Sequence, residues 1–269
     1  MIPAFLTIGK KEIMDNIRNL SIIIFTIIFA ILVLIVSYYG STQQGFQDIG
    51  PTIIGMILLV YFLVPIIGLI LGHAAINKEV ESGSMNSLLT YPVERWEVIF
   101  GKFIGLGCVL SFSILVGFGI AGLIIGLNIS NVDYGSYLFF IFSTIILGLI
   151  FMSLSMMFSS ILKNRSSSIV IAIFLWFLFT MIWSFIIAGL VFASSSSFDN
   201  FPDWIVGFDL INPISAFGGL VTLNVVPLDP TELQSLPGFY KTEILIMDLL
   251  LWILIPLLAT ILIFYKKDI

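Results

Sequence analysis

The stretch around which this chain is organised is residues 77–102, NKEVESGSMNSLLTYPVERWEVIFGK. It lies between two apolar runs, at residues 52–75 and 103–127, and each run is long enough to cross a bilayer as a helix. Both signs of charge occur in the stretch, on Lys78, Glu79, Glu81, Glu94, Arg95, Glu97 and Lys102. A short charged loop between two long apolar runs predicts a membrane protein whose loop meets a soluble partner.

The rest of the chain shares this composition. Its 269 residues are 59% hydrophobic and 10% charged, with a mean hydropathy of +1.15, unlike any ordinary soluble domain. We predict one transmembrane domain over residues 1–269, an all-α polytopic protein with six membrane-spanning helices. The predicted spans cover residues 21–38, 52–75, 103–127, 136–162, 168–192 and 244–264.

The middle of the loop, residues 85–90, has the pattern of a short amphipathic helix. Met85, Leu88 and Leu89 fall on its apolar side, and the punctuating residues Gly83 and Pro92 lie beyond its two ends. We expect the apolar side to face the soluble partner. The alternative is an ordinary solvated loop.

Two other segments outside the spans carry apolar side chains as well as charges. In residues 1–20, apolar and charged side chains alternate at helical spacing, which predicts a helix lying in the membrane interface. A solvated helix is the alternative. Residues 193–242 are acidic but rich in aromatic side chains, too apolar for a free linker. There we expect short amphipathic helices that form a hairpin-like extracellular loop before the last span.

Several kinds of function are disfavoured by the residues the chain lacks. Its net charge of −5 argues against nucleic acid as a partner. One histidine, His73, and one cysteine, Cys108, are too few for a usual zinc site or for a disulfide within the chain. The sequence has no phosphate-binding loop, since the Gly-Lys pairs at residues 9–10 and 101–102 lack the required spacing and hydroxyl. We therefore expect no ATPase activity, no metal and no cofactor in this chain.

The loop resembles the segment between the second and third spans of type-2 ABC transporter permeases. In that family acidic residues lead to Glu-x-Gly-Thr, a pair of leucines, Pro-x-x-Arg and finally Gly-Lys. The matching residues here are Glu79, Glu81, Gly83, Ser84, Leu88, Leu89, Pro92, Arg95, Gly101 and Lys102. Ser84 replaces the usual threonine and keeps its hydroxyl. A more particular but distant resemblance, in length, six spans and basic tail, is to the permease of the transporter for nitrous oxide reductase maturation.

The resemblance implies the role of each part. The loop would contain the coupling helix that docks on a separate ABC ATPase, and residues 1–20 would form the interfacial elbow helix of such permeases. ATP and Mg²⁺ would be bound by two copies of that ATPase. A second permease copy or a paralogue would complete the pathway within the membrane lipid. Asn212-Pro213 also resembles a recurrent segment of the family.

The positive charges predict the orientation of the spans. With six spans, both termini lie on one side, together with Lys10, Lys11, Arg18, Lys78, Arg95, Lys102, Lys163, Arg165, Lys266 and Lys267. Lys241 alone falls on the other side. Basic residues concentrate in cytoplasmic loops, so we expect a multi-pass protein of the cytoplasmic (inner) cell membrane, with both termini and the loop in the cytoplasm.

Export of an apolar or amphipathic substrate fits span interiors that are almost free of charge. A secondary transporter or channel that is not driven by ATP is the alternative, although such proteins usually place ionisable residues at membrane depth. An intramembrane enzyme would need paired catalytic groups, and this chain offers one histidine, one cysteine and Asp248 at the end of a span.

Overall fold

The computed structural model describes residues 3–43, 50–85, 90, 93–128, 133–162, 164–194, 202–226 and 236–266. Throughout these residues the regular secondary structure is helical. In chain order the helices are α1 Ala4–Ile17, α2 Leu20–Gln43, α3 Gly50–His73, α4 Asn77–Glu81, α5 Arg95–Asn128, α6 Tyr134–Ile161, α7 Arg165–Phe177, α8 Trp183–Ala193, α9 Asp203–Asp209, α10 Pro213–Val225 and α11 Thr242–Lys266. A π-helical segment, Leu178–Ile182, joins α7 to α8.

Six of these helical units are long and apolar enough to cross a membrane: α2, α3, α5, α6, the continuous α7–α8 unit and α11. The all-α class with six membrane-spanning helices is therefore confirmed. The largest difference from the predicted spans is α5, which begins at Arg95 rather than near residue 103. Its start is fixed by Glu97, whose Oε2 accepts a hydrogen bond from the Glu94 backbone N–H at 3.0 Å, as in a capping box.

Helix α6 lies at the centre of the bundle, and α3 packs closely against it. A Cβ atom at Gly68 or Gly72 would lie only 2.5 Å from a carbonyl oxygen of α6, that of Gly148 or Met152. Only glycine permits this approach of two backbones, the usual use of small residues four apart in membrane helices. This pair therefore serves helix packing within one subunit.

The π-helical segment of the fifth span receives the helices that precede the last span. Helices α9 and α10 meet at a bend of 112°. At that bend Asn212 donates a hydrogen bond from Nδ2 to the Phe179 carbonyl in the π segment, at 2.9 Å. A π turn leaves a backbone carbonyl open to such a partner, which explains why the bend docks there. The predicted helices between the fifth and sixth spans are thus present.

The bundle has two ends of different composition. The basic end gathers α1, α4, the first turns of α5 and α7, and the last turn of α11. The acidic end holds Asp133, α9, α10 and Tyr240. Lys241 is the one basic residue of the acidic end within the described ranges. Which end faces the cytoplasm remains a prediction from the positive charges.

Candidate functional site

The loop at the basic end rests on a close crossing of α1 and α5. A Cβ atom at Gly101 would lie 2.6 Å from the Phe5 carbonyl oxygen, and one at Gly105 would lie 2.6 Å from that of Gly9. Glycines at these positions therefore let the two backbones touch. The Gly-Lys pair that resembles the family pattern lies inside α5 and makes this contact, which brings Lys102 against α1.

Lys102 is the centre of a buried ion-pair cluster. Its side chain is 1% exposed, and its Nζ lies 2.6 Å from Glu12 Oε1 on α1 and 2.9 Å from Glu79 Oε2 on α4. The other oxygen of Glu79, Oε1, lies 3.2 Å from Lys11 Nζ. Asn16 donates from Nδ2 to Glu12 Oε2 at 3.3 Å. We call Lys11, Glu12, Glu79 and Lys102 the charge cluster.

The charge cluster ties α1, α4 and α5 together. A buried charge is strongly destabilising unless it is paired, so the largely buried Glu12, Glu79 and Lys102 depend on one another. Burial alone would lower the pKa of Lys11, but the charge and hydrogen bond of Glu79, together with the charges of Glu12 and Asp15, raise that pKa above its ordinary value. The cluster thus holds the loop's first helix, α4, against α1.

Glu81 connects α4 to the fifth span. Its Oε1 accepts a hydrogen bond from the Arg165 backbone N–H at 2.7 Å, at the first residue of α7. The N-cap residue of α7, Asn164, makes no side-chain cap, so a carboxylate from another helix takes that place. A negative charge at a helix N-terminus is favourable because it meets unpaired N–H groups and the positive end of the helix dipole.

The end of α4 requires Gly83. Its φ is +71°, a left-handed conformation that side chains disfavour, although a Cβ there would meet nothing within 4 Å. The hydroxyls of Ser82 and Ser84 lie 2.9 Å apart, and both donate to the Glu79 carbonyl, at 3.3 and 3.4 Å. Gly83 and Ser84 of the family pattern therefore form a helix C-terminus.

Arg95 holds the last span. Its Nη1 donates to the carbonyls of Phe264 at 2.7 Å and Tyr265 at 2.9 Å, and its guanidinium lies 5.8 Å from the centroid of the Phe264 ring. The carbonyls of the last turn of a helix have no partners within the helix, so a cation there is stabilising. Arg95 thereby joins the start of α5 to the end of α11.

The structure brings five of the eight predicted docking residues to the basic end: Glu79, Glu81, Gly83, Ser84 and Arg95. Leu88, Leu89 and Pro92 lie outside the described residues, as does most of the predicted coupling helix at 85–90. Docking by all eight remains a prediction. The roles of Lys11 and Glu12 were missed, since both lie in the segment that the sequence assigns to an interfacial helix. The sequence did contain one signal. Lys102 stands at the start of an apolar run, and a lysine in that position needs an acidic partner.

No group of three or more His, Cys, Asp and Glu side chains suited to a metal occurs within the described ranges. The contacts that the structure does show at the basic end are ion pairs and hydrogen bonds that fix helices to one another. Such an arrangement suits the transfer of force or the binding of another molecule.

Comparison with known proteins identifies the family. The model of the ABC-2 family of transporter proteins matches residues 6–269. The chain is 33% identical over 217 residues to the probable ABC transporter permease protein NosY of Stutzerimonas stutzeri, covering 78% of each protein. It is 32% identical over 242 residues to the protein of the same name from Pseudomonas aeruginosa, covering 84% of this chain and 87% of that one.

A third relative is more distant and longer. The probable multidrug ABC transporter permease YbhR of Escherichia coli is 25% identical over 182 residues, which are 67% of this chain and 44% of that protein. The family match over nearly the whole chain, the two NosY relatives and the six membrane-crossing helices agree with one another. The chain therefore belongs to the ABC-2 family, as a multi-pass membrane subunit of an ABC transporter.

Proposed function

We propose that the chain is the permease of an ABC exporter whose ATPase docks at the basic end, in the cytoplasm, and that it works in the cell membrane. ATP and Mg²⁺ then belong to the ATPase chains, and this subunit converts their movement into a change of the pathway. The positive-inside rule supports this orientation because all described basic side chains except Lys241 lie at that end.

The observation that carries the proposal is the fastening of the loop to the helices around it. The charge cluster joins α4 to α1 and α5, Glu81 joins it to α7, and Arg95 joins the far side of the loop to α11. A displacement of the loop by a docked ATPase would therefore reach the third, fifth and sixth spans together.

The proposal divides the predicted docking residues by role. Leu88 and Leu89 would fill an apolar groove of the ATPase, while Glu79, Gly83 and Arg95 hold the base of the loop. Both carboxylate oxygens of Glu79 are occupied by lysines of its own chain, so we assign it to positioning the loop. Glu81 and Ser84 would support the same base.

A transporter of this kind needs two ATPase copies, and we propose a second permease copy or paralogue opposite this one. The uncovered surfaces support it. Only 28% of the residues in the apolar part of the first span and 17% of those in the fifth are buried within the chain, against 67% of those in the fourth. The substrate would be apolar or amphipathic, in keeping with spans that present mainly aliphatic and aromatic side chains.

The test is a tagged purification from the native host in mild detergent, followed by identification of any ATPase chain that comes with the protein. Leu88→Asp combined with Leu89→Asp should lose that chain. The matched control is Asn86→Asp with Ser87→Asp, which adds the same two charges on the predicted polar side of the coupling helix, and it should retain the ATPase. Absence of an ATPase from the wild-type preparation, or equal behaviour of the two variants, would overturn the proposal.

A further inference from the structure

The basic end also contains a cleft that the coupling role does not use. Its volume is about 830 Å³, and it lies among α1, the start of α2, the end of α3, α4, α5 and the length of α7. One part is charged and lies beside the charge cluster. The other part is apolar, with Ile66, Ile70, Ile169, Ile173 and Trp176 along its wall. The cleft is therefore complementary to an amphipathic ligand, which has one charged part and one apolar part.

The charged part has a surplus of positive side chains. Four basic residues line it, Lys11, Lys78, Lys102 and Arg165, against three acidic ones, Glu12, Asp15 and Glu79. Lys11 and Lys102 are held by Glu12 and Glu79. The exposed ends of Lys78 and Arg165 make no ion pair within the described part of the chain. These two cations remain available to an anionic group.

His73 supplies a second, independent sign of a ligand. It lines the cleft with only 8% of its surface exposed. Its Nδ1 lies 2.6 Å from the Ile70 carbonyl oxygen, and a carbonyl can only accept, so Nδ1 carries a proton. Its Nε2 is buried without a hydrogen-bond partner. Buried polar atoms nearly always have partners, so this nitrogen calls for a group that the chain itself does not provide.

We propose that the cleft binds an anionic phospholipid of the leaflet at the basic end. Its phosphate lies between Lys78 and Arg165, a headgroup hydroxyl donates a hydrogen bond to His73 Nε2, and an acyl chain follows the apolar wall. Ile70 and Ile173 are 44% and 60% exposed, so the wall continues into the surface that meets lipid. Basic pockets between helices at a membrane surface bind lipid headgroups in this way. A lipid is favoured over free phosphate because the apolar wall would otherwise face water.

The experiment uses the full chain in nanodiscs and the fluorescence of Trp176. Phosphatidylglycerol or phosphatidylcholine with brominated acyl chains is titrated in, because bromine quenches tryptophan on contact. The chain has five tryptophans, so the signal of Trp176→Phe is subtracted to isolate this one. We expect the wild type to prefer phosphatidylglycerol, and added inorganic phosphate to leave the quenching unchanged.

Paired variants test the charges. Lys78→Gln with Arg165→Gln should reduce the preference by roughly 25-fold, about fivefold for each cation. This change keeps the Arg165 backbone N–H that Glu81 accepts. The control, Lys10→Gln with Arg18→Gln, removes one basic charge of α1 and one at its C-cap, both outside the cleft, and should keep the preference. His73→Asn retains a donor for the Ile70 carbonyl but deletes Nε2, and should weaken binding about tenfold.

Three results would overturn the proposal. Equal loss of preference in both double variants would show attraction to the surface charge rather than to the cleft. Displacement of the lipid by inorganic phosphate would show a site for the free anion. Absence of Trp176 quenching by either lipid would show that something else, such as a second copy of the chain, covers the cleft.

Discussion

The basic end and the acidic end of the bundle are held by different interactions. At the basic end, ion pairs with a buried lysine at their centre join three helices, and charged groups cap the ends of two more. At the acidic end the links are uncharged donors and ring contacts. Asn212 donates to Phe179, and Trp183 donates to Asp209 and stacks on Phe208, with centroids 5.3 Å apart.

The difference bears on how each end responds to change. Removing one member of a buried ion pair leaves the other charge unpaired, so the loss at the basic end is large and involves several helices at once. Removing one contact at the acidic end costs a hydrogen bond or some packing, and the loss stays local. Ion pairs that link several helices suit the basic end if that end must move as a unit with a partner. The predictions below are ordered by the size of the effect.

The largest effect is expected from Lys102→Met. The change leaves Glu12 and Glu79 without their shared partner, at a cost of about 3–5 kcal/mol in the free energy of unfolding. Unfolding of the purified protein in mixtures of mild detergent and SDS measures it. The control is Lys10→Met. Lys10 is an exposed lysine of the same surroundings, so its removal should change the free energy of unfolding little. A loss of less than about 1 kcal/mol for Lys102→Met would show that the cluster is not coupled.

The glycine crossing should come next. Gly105→Ala places a methyl group 2.6 Å from the Gly9 carbonyl oxygen, so α1 must move away from α5, at about 1–3 kcal/mol. Gly119→Ala is the matched control, because the same helix is open at that position and alanine favours a helix by up to about 1 kcal/mol. The same unfolding assay should therefore move in opposite directions for the two variants. Equal shifts would contradict the close crossing.

Asn212 tests the acidic end. Its Oδ1 accepts from the Ile214 N–H at 2.9 Å and caps α10, while its Nδ2 holds the Phe179 carbonyl. Asn212→Ala should cost about 1–3 kcal/mol, since both bonds are lost. Asn212→Ser keeps the cap but is too short for the second bond, and should retain part of that stability. If serine is no better than alanine, the cap contributes nothing measurable.

The smallest effect is expected at Gly83. Gly83→Ala meets no steric contact, so its cost of about 1 kcal/mol comes from the positive φ alone. Gly83→Asn should cost less, because asparagine tolerates this conformation better. Thermal unfolding of the three proteins, run side by side, should order them glycine, asparagine, alanine. An alanine variant as stable as the wild type would exclude a required left-handed turn.

The spans were predictable because about 20 successive apolar residues leave few alternatives to a membrane helix. The packing role of Gly68 and Gly72 was predictable from their spacing. The start of α5 was harder to predict. Gly101 and Lys102 interrupt the apolar run, and what explains them is their contact with α1. Lys102 meets Glu12 across 90 positions of sequence, and no local pattern reports such a distant pair.

The acidic end shows the same limit. The Asn212-Pro213 segment was recognisable, but its function depends on a π turn in the fifth span, where Leu178–Ile182 carry no sequence sign of it. Contacts between distant elements decide the role of a polar residue. Local pattern decides only whether its element is a helix.

The central claim is that the basic end is where the ATPase docks, and site-directed cross-linking tests it most directly. Cys108 is the chain's only cysteine, so Cys108→Ser gives a background into which Leu88→Cys, or Asp203→Cys at the acidic end, is introduced. Membranes of the native host are treated with a short thiol-to-amine cross-linker. We predict a product containing the ATPase from Leu88→Cys and none from Asp203→Cys. A product from Asp203→Cys, or no product from Leu88→Cys, would contradict the account.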